Sequence, residues 1–82
     1  MAPTTDQSPE SPDQLRIDLE RVEREIAELQ KVARDIREQL ADDPGDGPDR
    51  AEALRQAEEQ EAIAAVLEER REELQRRLAA SS

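Results

Sequence analysis

Apolar side chains recur along the first half of the chain at alternating spacings of four and three residues. The series is Leu15, Leu19, Val22, Ile26, Leu29, Ala33, Ile36 and Leu40. Because an α-helix makes one turn in about 3.6 residues, this heptad spacing keeps the series on one face of a helix. The pattern predicts a long first helix, from about residue 12 to 41, that packs one face against another helix.

The start of this helix has its own signals. Ser11 is typical of a helix-capping residue, Pro12 suits the first helical position, and Gln14 stands where a capping box needs it. The residues before it, 1–10, contain proline, serine, threonine and acids without a periodic apolar pattern. Such a composition cannot offset the entropy of ordering. We therefore predict a disordered acidic tail over 1–10 and a folded unit over 11–80.

A second, thinner apolar line runs through the other half of the chain. It consists of Leu54, Ala57, Ala64, Leu67 and Leu74, and Gln60 and Arg71 interrupt it. This line predicts a second helix from about residue 49 to 80, with alanines that permit close approach of the two backbones. We expect Ile63, Val66 and Leu78 to widen the apolar stripe. An antiparallel arrangement places Leu54 near Ile36, Ala57 near Ala33 and Leu74 near Leu15.

A turn is predicted between the two helices. After residue 12, proline and glycine occur only at Pro44, Gly45, Gly47 and Pro48, and both residue types break helices. The predicted fold class is therefore all-α: an antiparallel two-helix coiled-coil hairpin with its tip at 42–48. Each helix would bury only one narrow face, which is marginal for a monomer. A monomer and a homodimer both remain open.

The tip is unusually acidic. Four aspartates, Asp42, Asp43, Asp46 and Asp49, fall within eight residues. One interpretation is structural, with Asp46 capping the second helix and Asp49 complementing its dipole. The other is that the carboxylates are presented to basic residues, or to a magnesium ion that a partner holds. A calcium loop is disfavoured because the twelve-residue ligand pattern is missing, and we expect no stable metal ligands.

Composition narrows the classes of function. The chain has no Phe, Tyr, Trp, His or Cys, which removes thiol and imidazole chemistry, common zinc ligands and aromatic stacking on bases. We expect no enzymatic activity and no cofactor. The net charge of -10 opposes direct binding of nucleic acid. Neither end has the apolar run of a membrane span, so a cytoplasmic location is expected. Eleven of the twelve basic residues are arginine, which is compatible with a GC-rich genome.

A family resemblance rests on the tip. The run from Asp46 to Ala51, Asp-Gly-Pro-Asp-Arg-Ala, resembles the Asp-x-x-Asp-x-Ala tip motif of the DksA/TraR family of bacterial transcription regulators. In that family a coiled-coil hairpin enters the secondary channel of RNA polymerase and brings its tip close to the catalytic magnesium. The resemblance implies that RNA polymerase is the partner and that Asp46, Asp49 and Ala51 are the functional residues. Asp42, Asp43 and Arg50 complete the predicted partner-binding tip. The family's zinc finger is absent, since this chain has no cysteine.

Two alternatives accompany this hypothesis. The run from Asp49 to Ala53, followed by Glu58-Glu59-Gln60, is also similar to the amino-terminal coiled coil of the Gre transcript-cleavage factors, which use the same channel. The other alternative is a structural coiled-coil adaptor or oligomerisation module, in which the aspartates only turn the chain. The arginines near the open end, Arg70, Arg71, Arg76 and Arg77, either contact an acidic partner surface or pair with Glu72 and Glu73.

Overall fold

The computed structural model describes residues 11–42 and 48–81, and these form two long α-helices. Helix α1 spans Pro12–Asp42 and helix α2 spans Pro48–Ala80. The helices pack against each other as an antiparallel hairpin, and the described ranges contain no strand. The all-α hairpin predicted from the apolar spacing is confirmed. The predicted disordered tail, residues 1–10, lies outside the described ranges.

Helix α1 begins at a formed cap. The backbone N–H of Gln14 donates to Oγ of Ser11 at 3.2 Å, and the N–H of Leu15 donates to the Ser11 carbonyl at 2.9 Å. These bonds satisfy amide groups that a helix start leaves without intrahelical partners. The side-chain Nε2 of Gln14 donates to Oδ1 of Asp18 at 3.0 Å. Ser11 therefore caps the helix, as its position in the sequence predicts.

The core follows the predicted seam. Its buried members are Leu15, Val22, Ile26 and Ala33 of α1 and Ala57, Ala64 and Leu74 of α2. The other seam residues of α1, Leu19, Leu29, Ile36 and Leu40, are half-buried. Leu15 and Leu74 pack in one cluster with Val22 and Ile26, and Leu19, Leu67 and Leu78 lie against it. The larger side chains thus fill the hairpin near its open end, where the first residues of α1 meet the last of α2.

Alanines form the core in the half nearer the apex. Ala57 and Ala64 are 0% and 3% exposed, and Ala33 is 1% exposed. A methyl side chain can be buried so completely only where the facing helix comes close. Gln60 and Arg71, which interrupt the apolar line of α2, are half-buried. The long stem of Arg71 allows it to cover apolar surface while its charged head reaches water.

The expected widening of the apolar stripe was wrong for two of its three residues. Ile63 and Val66 do not widen the buried stripe, since they are 49% and 65% exposed. Each precedes a seam residue by one position, and one position turns a helix by about 100°. Leu78, by contrast, does pack against the core. On the outer face of α1, Arg16 binds Oδ1 of Asp13 at 3.2 Å, three residues away.

Candidate functional site

The candidate site is the apex, where the two helices are joined. Asp42 is the last residue of α1 and is exposed; Asp49 lies in the first turn of α2 and is also exposed. Ala51 follows on α2 with an exposed side chain. Asp43 and Asp46, the other predicted tip residues, lie outside the described ranges. The structure therefore places Asp42, Asp49 and Ala51 at the same end of the hairpin and leaves all three accessible.

Arg50 connects the helices at this end. Its Nη1 donates to the carbonyl oxygen of Leu40 at 3.0 Å, and its side chain is half-buried. The last carbonyls of a helix have no intrahelical donors and carry partial negative charge. A guanidinium from α2 supplies both a donor and a positive charge to the end of α1. This contact gives Arg50 a structural role, which sequence reasoning missed because it depends on the position of the opposite helix.

Asp49 has a favourable local position. An acidic side chain in the first turn of a helix lies near exposed N–H groups, where a negative charge is stabilised. The same argument applies to Asp13 in the first turn of α1 at the opposite end of the hairpin. Asp49 therefore suits both interpretations of the tip: it stabilises the start of α2 and it presents a carboxylate at the apex.

The apex does not assemble a metal site from the part of the chain that the structure describes. Within 11–42 and 48–81, no group of three or more acidic side chains is close enough to hold an ion. Its exposed carboxylates can still contribute ligands or negative charge to an ion held by another molecule. In chemical terms, the described apex is an accessible anionic surface.

One edge of the hairpin is polar. Gln30, Arg37, Glu61 and Glu68 make up this polar edge. The guanidinium of Arg37 contacts Glu61 twice, with Nε 3.0 Å from Oε2 and Nη2 2.8 Å from Oε1. Nε2 of Gln30 donates to Oε2 of Glu68 at 3.0 Å. Paired hydrogen bonds of this kind are the most specific contacts that arginine makes with a carboxylate. They link the two helices along this edge.

The Arg37 pair shifts both pKa values. The hydrogen bonds from Arg37 lower the pKa of Glu61 below its ordinary range, because they stabilise the carboxylate. In turn, the hydrogen bonds and the charge of Glu61 raise the pKa of Arg37. Single-helix spacing could not reveal this pair. The heptad positions indicate only a shared edge, since Arg37 directly follows Ile36 of the seam and Glu61 directly follows Gln60, which interrupts the apolar line of α2.

The other edge of the hairpin is apolar near its middle. Leu29, Val32, Ile63, Val66 and Leu67 make up this apolar edge. Val32, Ile63 and Val66 are 45%, 49% and 65% exposed. A shallow groove of about 360 Å³ runs between the helices here, lined by Leu29, Val32, Ile63 and Leu67 with Glu25 and Glu28 on the α1 side. Within the described residues, three of the four exposed large hydrophobic side chains lie on the apolar edge.

The arginines near the open end lie among carboxylates of their own helix. Arg70 binds Oε1 of Glu73 at 3.2 Å, and Arg77 binds Oε2 of the same residue at 3.3 Å. Arg77 and Glu73 have the expected four-residue spacing, whereas Arg70 and Glu73 stand three residues apart. A contact between this end and an acidic partner stays a prediction.

Comparison of this chain with protein families, with curated proteins and with solved structures found no match. Neither described helix is long and apolar enough to cross a membrane.

Proposed function

We propose that this hairpin is a non-enzymatic binding module that regulates transcription by inserting its acidic apex into the secondary channel of bacterial RNA polymerase. The observation that carries the proposal is the joint exposure of Asp49 and Ala51 in the first turn of α2. These are two of the three residues that the DksA/TraR tip motif requires. Asp46, the third, precedes α2 by two positions in the sequence.

The shape of the hairpin suits insertion into a narrow opening. Helices of 31 and 33 residues are about 46–50 Å long at a rise of 1.5 Å per residue. Two packed helices are only about 20 Å across in the wider direction. Such a rod holds the carboxylates of its apex far from its open end, so that they can reach into a narrow channel of the partner. It exerts its effect through charge and volume, by favouring some conformations of the mobile polymerase elements over others.

Direct binding tests the partner. The full chain is added to purified bacterial RNA polymerase core, and a DksA/TraR-family protein is then added as competitor. Saturable binding that the competitor displaces supports the proposal. Absence of binding at tens of micromolar, or binding that the competitor leaves unchanged, contradicts it.

Charge-neutral variants test the apex. We expect the double variant Asp46→Asn/Asp49→Asn to lose the effect on transcription while its helicity, measured by circular dichroism, stays unchanged. Asp13→Asn is the matched control, because Asp13 is an exposed acid in the first turn of the other helix. Full activity of the double variant would exclude the tip mechanism. Equal loss in the Asp13 control would show that only net charge matters.

A second candidate function is a structural coiled-coil adaptor or oligomerisation module. The apolar edge favours it, because exposed Val32 and Ile63 line one groove, exposed Val66 lies three residues from Ile63 on α2, and covering them with a partner lowers the free energy. The α1 seam itself is not available for this purpose. Ile26 is 3% exposed in the core of the hairpin, so an oligomer interface has to use a different face.

A further inference from the structure

The apolar edge continues along α2 as a regular stripe. Its positions alternate by four and three residues, which places them on one face of the helix beside the buried seam. The stripe consists of Glu52, Gln56, Glu59, Ile63, Val66, Arg70, Glu73 and Arg77. Seven of the eight are exposed and Glu73 is half-buried; Ile63 and Val66 are 49% and 65% exposed.

The charges of this α2 stripe are ordered. Acidic side chains occupy its amino-terminal part, apolar side chains its centre, and arginines most of its carboxy-terminal part. A second copy of the stripe that runs in the opposite direction is complementary to it. Ile63 then faces Val66 of the copy, Glu59 faces Arg70, and Glu52 faces Arg77. Two-fold symmetry produces each of these pairs twice.

The opposite orientation lacks this complementarity. Two parallel copies related by an axis along the rod would place Glu59 against Glu59 and Arg70 against Arg70. Like charges directly opposite each other are destabilising. The antiparallel orientation also keeps the two acidic apices at opposite ends of the assembly, which matters for a chain with a net charge of -10.

The ion pairs within one hairpin do not prevent the formation of ion pairs between two copies. In one hairpin Arg70 and Arg77 both contact Glu73, and Glu52 contacts Arg55 at 3.5 Å. The side chains of Arg70 and Arg77 remain 47% and 42% exposed. Exposed ion pairs of this type contribute little. Their replacement by pairs between copies, together with burial of Ile63 and Val66, is therefore favourable.

We propose that two copies of the chain associate in antiparallel orientation through the α2 stripe and form a four-helix assembly with one acidic apex at each end. A small hairpin core is marginal without cross-links, metals or oligomerisation, and the chain has no cysteine. The proposal specifies the partner and geometry of the oligomerisation alternative. It does not depend on what the apex binds.

Analytical ultracentrifugation of the full chain tests the association. Over roughly 5–500 µM, we expect the wild-type mass to rise from 9.3 kDa towards twice that value. Ile63→Ser/Val66→Ser is expected to stay monomeric. Ile17→Ser is the matched control, since Ile17 is 50% exposed on the outer side of α1 and lies off the stripe. A monomeric wild type throughout this range overturns the proposal, as does equal loss in the Ile17 control.

A charge-reversal cycle tests the orientation. Glu59→Arg and Arg70→Glu each place like charges opposite each other twice in the antiparallel dimer, so each is expected to weaken association about tenfold. The double variant Glu59→Arg/Arg70→Glu restores both pairs and is expected to associate like the wild type. If the double variant does not recover association, the proposed antiparallel orientation is wrong. Because the tip residues are untouched, polymerase binding is scored separately, and either proposal can fail alone.

Discussion

Arg37 illustrates how single residues fix the register of this hairpin. Its guanidinium binds Glu61 of the facing helix through two hydrogen bonds, although both side chains are close to half-exposed. Water screens the charge of such a pair, so its contribution to stability is small. Its paired geometry still disfavours a shift of α2 along α1, because any shift breaks both hydrogen bonds.

We predict that the Arg37 pair stabilises the hairpin in a pH-dependent way. The pKa of Glu61 is lowered from its ordinary value of 4.5 in the folded state. The stabilisation is therefore complete above about that pH and is lost as the pH falls through the lowered pKa. Arg37→Met should lower the melting temperature at pH 7 and have little effect once Glu61 is protonated.

Thermal unfolding followed by circular dichroism at several pH values checks this prediction. Arg24→Met is the control, because Arg24 is an exposed arginine on the same helix. The difference between the two variants isolates the pair from the titration of the other carboxylates. An Arg37 effect that persists unchanged in acid would contradict the assignment.

Ser11 provides a second prediction at the level of residues. Its Oγ accepts the N–H of Gln14, and removing a capping oxygen of this kind costs about 1 kcal/mol. Ser11→Ala should lower the free energy of unfolding by that amount, and Ser11→Asp should restore most of it. Urea unfolding measures both variants. Equal stability of Ser11→Ala and the wild type would mean that solvent replaces the cap.

At the scale of elements, the spacing of the two helices depends on small side chains. Ala57 and Ala64 are buried where larger apolar residues occur elsewhere in the seam. The backbones approach closely here and make dispersion contacts with each other. These contacts compensate for those that larger side chains make in an ordinary core. The same packing leaves Ile63 and Val66 outside, since a narrow contact between two helices covers only one row of positions.

We predict that Ala64→Leu destabilises the hairpin by about 1–3 kcal/mol, because the longer side chain forces the helices apart. Ala62→Leu is the matched control on the same helix, since Ala62 is exposed and leucine has nearly the same helix propensity as alanine. Chemical unfolding of both variants gives the comparison. If Ala64→Leu is as stable as Ala62→Leu, the two helices do not approach each other closely at Ala64.

For the whole molecule, charge opposes compactness. The chain has 22 acidic and 12 basic residues and a calculated isoelectric point of 4.4. Like charges repel along both helices at neutral pH, and dissolved ions screen this repulsion over about 10 Å at 0.1 M salt. Both the hairpin and the proposed dimer should therefore depend on ionic strength.

We predict that added salt raises the melting temperature at pH 7. Circular dichroism melts at about 20 and 300 mM NaCl check this, since the Debye length falls severalfold over that range. Near pH 4.4, where the calculated net charge is close to zero, the same addition should have little effect. A fall in melting temperature at pH 7 would show that specific ion pairs outweigh the net repulsion.

The sequence alone determined the two helices, their direction and their shared seam. Leu15, Val22, Ile26 and Ala33 repeat with a helical period, and proline and glycine occur after residue 12 only between the two apolar lines. These signals are local, because periodicity and helix breaking depend on near neighbours. The cap at Ser11 was predictable for the same reason. The acidic apex was visible as composition, and its binding role stays a prediction.

Only the tertiary structure decided how the two faces meet. The contact from Arg50 to Leu40 and the pair between Arg37 and Glu61 depend on the rotation of each helix about its axis. That rotation also decided that Ile63 and Val66 lie outside the core. A helical period assigns residues to a stripe about 100° wide, but the depth and tilt of the packing select the members that are buried. Which residues are buried therefore depends on how the two helices pack, and the sequence of either helix alone does not determine it.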